Sequence, residues 1–532
     1  MDFLTRRLLV IGADAAGMSA ASQARRRCGP DDLQIVAFDR GNFSSYSACG
    51  IPYFVSGVVD EIESLVVRTP ETFRTKQSIH VHLRHQVLEI DLDRGVILVN
   101  HCESGHQREE AFDDLMVATG AVPVRPPLPG AEADGVFGVQ TLDDGLALRA
   151  LVADRAPRQA VIVGSGYVGL EMAEALCALG VETHLVDVAP QPLTRLDPDM
   201  GALVAGALRD FGTVLHLGQE VAGFETGAGG EVSAVVTSEG TIPAQVVVLG
   251  LSVRPNVALA AAAGVEIGPS GAIAVDRRMR TSHPAVWAAG DCAEKRHRVS
   301  GAPVAAALGT HANKEGRVAG INLGGGYATF PGVIGTAATK VGPLEVATTG
   351  LSEAGAAGAG FVVDAVTSES TTRAGYYPGA EPITVKLVVE RGTGRLLGAQ
   401  IVGRDGAAKR IDALALAVWN EMTVVDLLAA DLSYAPPYSP VWDPVVAAAR
   451  RAATTCRSTS RTTYEIACAK KYSAAIDGRL YHVRKLLCKK ALLSVLLTDS
   501  LFSVRSGGRG CIDTVARATG GRHSRVLQES AD

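Results

Sequence analysis

Short apolar runs recur along the chain, and the first two runs of the N-terminal region frame a glycine turn. Leu8–Ile11, in "RLLVIGADAAGMSAASQARRR", leads into Gly12 and Gly17 and then into a helix-like stretch. The next run, "LQIVAFD", ends at Asp39, 22 residues after Gly17. Strand, glycine turn, helix and second strand make a βαβ unit whose closing acid takes ribose hydroxyls. The glycines let the backbone turn tightly beside a pyrophosphate seated on the helix N-terminus. One departure is visible: the middle Gly of the G-x-G-x-x-G pattern is replaced by Asp14.

A second unit is cleaner. In "AVIVGSGYVGLEMAEAL" a strand runs straight into Gly164, Gly166 and Gly169, and "THLVD" ends at Asp187, 18 residues after Gly169. An acid there favours NADH, because a 2′-phosphate would be repelled. No Arg or Lys lies between Asp187 and Thr194, while Arg195 leaves NADPH open as a second donor. Two dinucleotide folds imply one cofactor that stays and one that comes and goes.

A further apolar run, Ala285–Ala288 in "TSHPAVWAAGDCAE", delivers Gly290 and Asp291 to a turn. Together with the two glycine units, this pattern resembles the flavoprotein pyridine nucleotide-disulfide oxidoreductases. The resemblance implies FAD as the resident cofactor, with Asp291 on its ribityl chain. "LMVATGAVP", with Thr119 and Gly120, resembles the family's crossing from FAD to NAD domain, and "GLSVRPN", from Gly250, resembles the return. Ala16 and Arg40 complete the cofactor positions that the resemblance implies.

The stretch "SSYSACGIPY" holds Cys49, and the residue five beyond it is Phe54, so the C-x4-C redox pair of many family members is absent. The stretch resembles the single-cysteine branch, which includes CoA-disulfide reductases, NADH oxidases, NADH peroxidases and persulfide reductases. Pro52 suits the first turn of a helix. Cys49 is therefore expected at a helix N-terminus, where the dipole favours thiolate. Ala15 stands where peroxidases carry a loop His, which argues against that activity. "AGYYPGAEP" and "LSYAPPYSPVWDP" resemble segments of CoA-disulfide reductases whose tyrosines, here Tyr376 and Tyr434, meet the cysteine of the partner subunit. A homodimer with shared sites is implied. Ser19, Gln23, Arg26, Ser45 and His311 match CoA-holding positions of that subgroup, whereas Ala48 and Trp442 depart from it. CoA itself stays open for that reason; disulfide or persulfide chemistry is less affected. The implied reaction carries electrons from NADH through FAD to Cys49. An NADH oxidase using oxygen is the alternative, and a catalytically silent NADH-binding scaffold is the non-enzyme rival.

At 532 residues the chain is too long for a single core. The expected fold is α/β, with two Rossmann-like dinucleotide-binding domains and an α+β C-terminal dimerisation domain. The FAD domain spans 1–120 and 250–325, the inserted NAD domain 121–249 and the dimerisation domain 326–450. A net charge of −5 gives no pull toward nucleic acid or membrane. No stretch approaches the ~20 apolar residues of a spanning helix. The N-terminus runs almost directly into a strand, so no separate signal peptide is expected. The nine cysteines show no C-x-x-C spacing, so no metal site or disulfide framework is expected, and a reduced, cytoplasmic protein is the default. Residues 451–532 differ in texture. They hold 15 Lys and Arg against 6 Asp and Glu, a net of +9 that leaves −14 for the first 450, and they carry four of the nine cysteines. They are expected to be a separate, dispensable basic tail with no recognised fold.

Overall fold

The computed structural model describes residues 5–456. The first sheet is parallel throughout, in the order Val286–Ala288, Asp114–Val117, Arg6–Ile11, Leu33–Phe38, Ile79–His82. Its central strand buries Leu8, Leu9 and Val10 completely. Continuous apolar runs of this kind belong to parallel strands covered on both faces. The edge strand Val286–Ala288 comes from far down the chain, so a second body of structure is inserted between the strands of one sheet. A smaller antiparallel sheet, His85–Asp91, Val96–His101 and Gln107–Ala111, lies within the connection to Asp114–Val117.

The inserted body repeats the plan. Its parallel sheet runs Val214–Leu217, Glu182–Asp187, Gln159–Val163, Val246–Leu249, Val136–Phe137. Its antiparallel companion is Val221–Thr226, Val232–Thr237 and Gly240–Pro243. The two passages between the parallel sheets pair with each other, Ala121–Pro123 antiparallel to Val253–Pro255. Thr119 Oγ1 donates to the Asn256 carbonyl at 2.6 Å, and Asn256 N–H donates to the Gly120 carbonyl at 2.9 Å. The crossing and the return are therefore one hydrogen-bonded joint.

A third, antiparallel sheet runs Ala337–Val341, Leu344–Gly350, Leu396–Gly403, Pro382–Glu390, Val363–Thr371. Every residue of Leu396–Gly403 is buried. The helices Ile411–Trp419 and Pro444–Cys456 share a core with it through Leu414, Val418, Val445 and Ala449. The buried Lys386 reaches Asp199 at 2.6 Å, Glu353 at 2.5 Å and Asp197 at 3.4 Å. The Gln400 amide donates to the same Asp197 at 2.6 Å. Asp197 caps the helix Pro198–Asp210 of the inserted body, so these ties join that helix to the third sheet.

The last helix continues past the expected boundary at residue 450, to Cys456. Ala452 and Ala453 are buried in the third core while Arg450 and Arg451 face solvent. Arg450 and Arg451 lie on the exposed side of this amphipathic helix. The rest of the expected tail lies outside the described residues. Among the described residues no helix is long and apolar enough to cross a membrane.

Candidate active site

The two glycine turns share one geometry. Gly12 has φ +101°, and a Cβ there would overlap the Ala118 carbonyl oxygen; Gly164 has φ +100°, and a Cβ there would overlap the Gly250 carbonyl oxygen. Both demands select glycine. The helices Ala15–Arg25 and Tyr167–Ala178 start at these turns and aim their N-termini into them. Gly17 and Gly169, in their first turns, let each helix close onto the carbonyl of Gly12 or Gly164. Gly166 caps the second helix in extended conformation.

Each closing acid is held beside its own turn. Asp39 accepts the Ala13 N–H at 2.7 Å and the Gly41 N–H at 2.8 Å. Asp187 accepts the Ser165 N–H at 2.6 Å, the Ser165 hydroxyl at 2.5 Å and the Ala189 N–H at 2.8 Å. A carboxylate has about four acceptor positions, so both keep capacity for ribose hydroxyls. Arg40, next to Asp39, is exposed.

Gly290 and Asp291 sit against the first turn, with a Gly290 Cβ position 2.8 Å from the Ala16 side chain. Asp291 Oδ1 is buried without a hydrogen-bond partner, and burial raises the pKa of this carboxyl. An orphaned buried oxygen calls for a donor from outside the chain. The Gly12–Gly17 turn, Asp39 and Asp291 thus fit the pyrophosphate, ribose and ribityl groups of FAD. Beneath the Gly290 turn, Lys295 and Glu315 form an ion pair with both side chains fully buried.

Cys49 is exposed, in the short 3₁₀ turn Ala48–Gly50 that precedes the helix Ile51–Val55. The expected depressed pKa does not appear. Surrounding protein desolvates the thiol, and Glu171 adds negative charge nearby, so its pKa is raised. The helix is only five residues long and begins after Cys49, so little dipole acts on the sulfur. The loop that carries Cys49 is pinned to the first glycine turn. Ser45 N–H donates to the Ala13 carbonyl and Tyr46 N–H to Asp14 Oδ1, each at 2.9 Å.

Four of the five expected substrate residues meet in one cavity of about 290 Å³: Ser19, Gln23, Arg26 and Ser45. Met18, Val67 and Phe73 supply its apolar surface, and Arg68 and Arg317 join Arg26 around it. All three arginines are exposed and make no ion pair among the described residues. His311 is not among the lining residues. It is buried with Nδ1 unpartnered, and burial beside Lys295 and Lys314 drives its pKa down to about 4.

Tyr434 and Tyr376 are both exposed and lie close enough for Tyr376 to influence the titration of Tyr434. Tyr438, Val441 and Trp442 are exposed as well.

Three contributors escaped sequence reasoning. Glu171 lies in the helix behind the second glycine turn, and its place beside Cys49 is a tertiary fact. Arg68 and Arg317 come from a loop and a distant helix, with no spacing that links them to Arg26. Asp14 was visible as a departure from the motif, but its partner, the Tyr46 N–H, was not.

The pyridine nucleotide-disulphide oxidoreductase family model matches residues 6–309, and the dimerisation-domain model of the same family matches 336–445. The chain is similar to the NAD(P)H coenzyme A polysulfide/persulfide reductase of Pyrococcus horikoshii, 37% identical over 84% of this chain and 98% of that protein. It is also similar to an NADH oxidase of Methanocaldococcus jannaschii, 34% identical over 84% of this chain and 98% of that protein. Among solved structures, an NAD-dependent persulfide reductase from A. fulgidus superposes with a TM-score of 0.81 at 39% identity, covering 84% of this chain and 83% of that one.

Proposed function

The chain belongs to the pyridine nucleotide-disulphide oxidoreductases, and from that premise we propose that it reduces a disulfide or persulfide of a phosphate-bearing thiol, with coenzyme A the foremost candidate. NADH is the proposed electron donor, Cys49 the reacting thiol, and a cytoplasmic homodimer the working form. The observation that carries this reading is the cavity beside the Cys49 loop. It combines an apolar surface with three arginines that make no ion pair among the described residues, in a chain whose first 450 residues are net acidic. Guanidinium groups match phosphate geometry.

Cys49, as its thiolate, attacks the carbon-bearing sulfur of the substrate thiol. One S–S bond breaks, a mixed disulfide with Cys49 forms, and the displaced sulfur leaves as a thiolate or hydrosulfide. FAD, when bound, supplies the two electrons taken from NADH that release the second product and restore the thiol. Asp39, Asp291 and the Gly12 turn hold that cofactor; Asp187 and the Gly164 turn hold the donor. Tyr434, supported by Tyr376, protonates the departing thiolate from the partner subunit. Slight desolvation and the neighbouring Tyr376 raise the Tyr434 pKa.

NADH oxidase activity is the second reading, favoured by the Methanocaldococcus jannaschii relative. Anaerobic NADH consumption with CoA disulfide, CoA persulfide, cystine and glutathione disulfide, compared with oxygen alone, separates the two. The expected kcat/KM for the CoA acceptors exceeds that for cystine by at least about tenfold, one ~1.4 kcal/mol step. NADH consumption that needs oxygen and ignores every sulfur acceptor overturns the proposal.

A further inference from the structure

We propose that Asp14 is a positioning residue for Cys49, tethering the cysteine loop to the first glycine turn. This goes beyond the proposed reaction and rests on it only in taking Cys49 as the reacting thiol. Asp14 occupies the middle position of the glycine motif in an extended conformation, φ −113° and ψ −151°, which an L residue adopts without strain. It precedes the helix Ala15–Arg25, yet its side chain makes no capping bond there. Oδ1 instead accepts the Tyr46 N–H at 2.9 Å, and the adjacent Ala13 carbonyl accepts the Ser45 N–H at 2.9 Å. Two successive amides of the loop are thus fixed to two successive residues of the turn, three residues before Cys49. With glycine at position 14, the second of these bonds has no acceptor.

The tether carries charge. Asp14 is half-buried and faces Asp39 from the second strand and Asp291 from the Gly290 turn, with Lys295 behind Asp291. The Tyr46 phenol and the Cys49 thiol face it from the cysteine loop. Burial, together with these two carboxylates, raises its pKa to about 6. Above that value Asp14 is ionised, holds the Tyr46 N–H firmly and opposes ionisation of Cys49. Below it the carboxyl is neutral, the bond weakens and the opposition disappears.

The test measures modification of Cys49 in the FAD-loaded enzyme by 4,4′-dithiodipyridine from about pH 5 to about pH 8, with the Cys49 peptide identified by mass spectrometry. In the wild type the logarithm of the rate is expected to rise with pH and flatten as Asp14 ionises, near pH 6 or above. Asp14→Asn keeps the acceptor oxygen without the charge and, compared at equal FAD loading, should give a straight profile. Asp14→Gly removes the acceptor while restoring the motif residue, and should react at least about threefold faster at the alkaline end through a freed loop. Profiles of wild type and Asp14→Asn that coincide throughout overturn the proposal, even if the glycine variant fails to hold FAD. The readout is the thiol itself, so it stands whichever acceptor the enzyme uses.

Discussion

Lys295 and Glu315 face each other at 3.4 Å with neither side chain exposed to solvent. Lys295 Nζ also donates to the carbonyls of Gly290 at 2.7 Å and Ala293 at 2.9 Å, and Glu315 accepts the Gly290 N–H at 2.8 Å. The pair therefore braces both sides of the turn that presents Asp291. Burial raises the Glu315 pKa to about 7, so the carboxylate depends on this lysine and amide for its charge. Glu315→Ala leaves a buried ammonium unpaired and should destabilise the protein by about 3–5 kcal/mol. Glu315→Gln keeps an acceptor for the Gly290 N–H and should cost less. Urea unfolding of the two variants checks the order, and equal midpoints would show that the pair has no bracing role.

Cys49→Ser should bind FAD with normal stoichiometry, because the Gly12 turn, Asp39 and Asp291 are untouched. Disulfide and persulfide reduction should fall by more than about tenfold. The measurement is anaerobic turnover alongside the flavin spectrum. Activity retained above about a tenth of wild type would mean that Cys49 does not carry the reaction.

The parallel sheets were legible because their strands are uninterrupted apolar runs ending in glycine turns, as at Leu8–Gly12 and Ala160–Gly164. The acids Asp39 and Asp187 followed from spacing alone, since a βαβ unit has a nearly constant length. What failed were properties set by tertiary surroundings. The Cys49 pKa was expected to drop by a helix-dipole argument. The sign reversed because surrounding protein desolvates the thiol and Glu171, from the helix Tyr167–Ala178, lies close, while the helix Ile51–Val55 is short and starts after the cysteine. The last helix runs past the expected domain boundary at 450, because Arg450 and Arg451 lie on its exposed side while Ala452 and Ala453 continue its core face. Arg68 and Arg317 had no sequence signal, because a cavity gathers residues by position in space.

NADH should be preferred over NADPH. Three donors hold the Asp187 carboxylate in place, so it cannot swing away from a 2′-phosphate. Steady-state kinetics should give kcat/KM for NADH at least about tenfold higher, and Asp187→Ser should narrow that ratio. A wild-type enzyme with the higher constant for NADPH would remove Asp187 from the role of ribose acceptor.

A chain ending after Cys456 should fold, bind FAD and turn over like the full protein, since the described core closes with that helix. A chain ending at Arg450 should be less stable, because it loses the buried Ala452 and Ala453. Each lost methyl is worth about 0.8 kcal/mol, before counting the shortened helix. Thermal unfolding of both truncations with FAD content measured in parallel is the check. Equal melting temperatures would mean that the helix beyond 450 adds nothing.

Tyr434 and Cys49 should act across the dimer. Tyr434 and Tyr376 are exposed, as are the large apolar side chains Tyr438, Val441 and Trp442 that follow in sequence, more apolar surface than is usually left to solvent. A two-fold dimer would place that surface over the partner's cysteine and make two composite sites. Tyr434→Phe should slow release of the thiol product while flavin reduction by NADH stays at its wild-type rate. The decisive measurement mixes Cys49→Ser chains with Tyr434→Phe chains under conditions where subunits exchange. Each mixed dimer then holds one site in which both residues are intact, and random pairing should restore about a quarter of wild-type turnover. Mixed dimers that form, as shown by native mass spectrometry, yet remain as slow as their parents would place both residues within a single chain's site or deprive Tyr434 of its role.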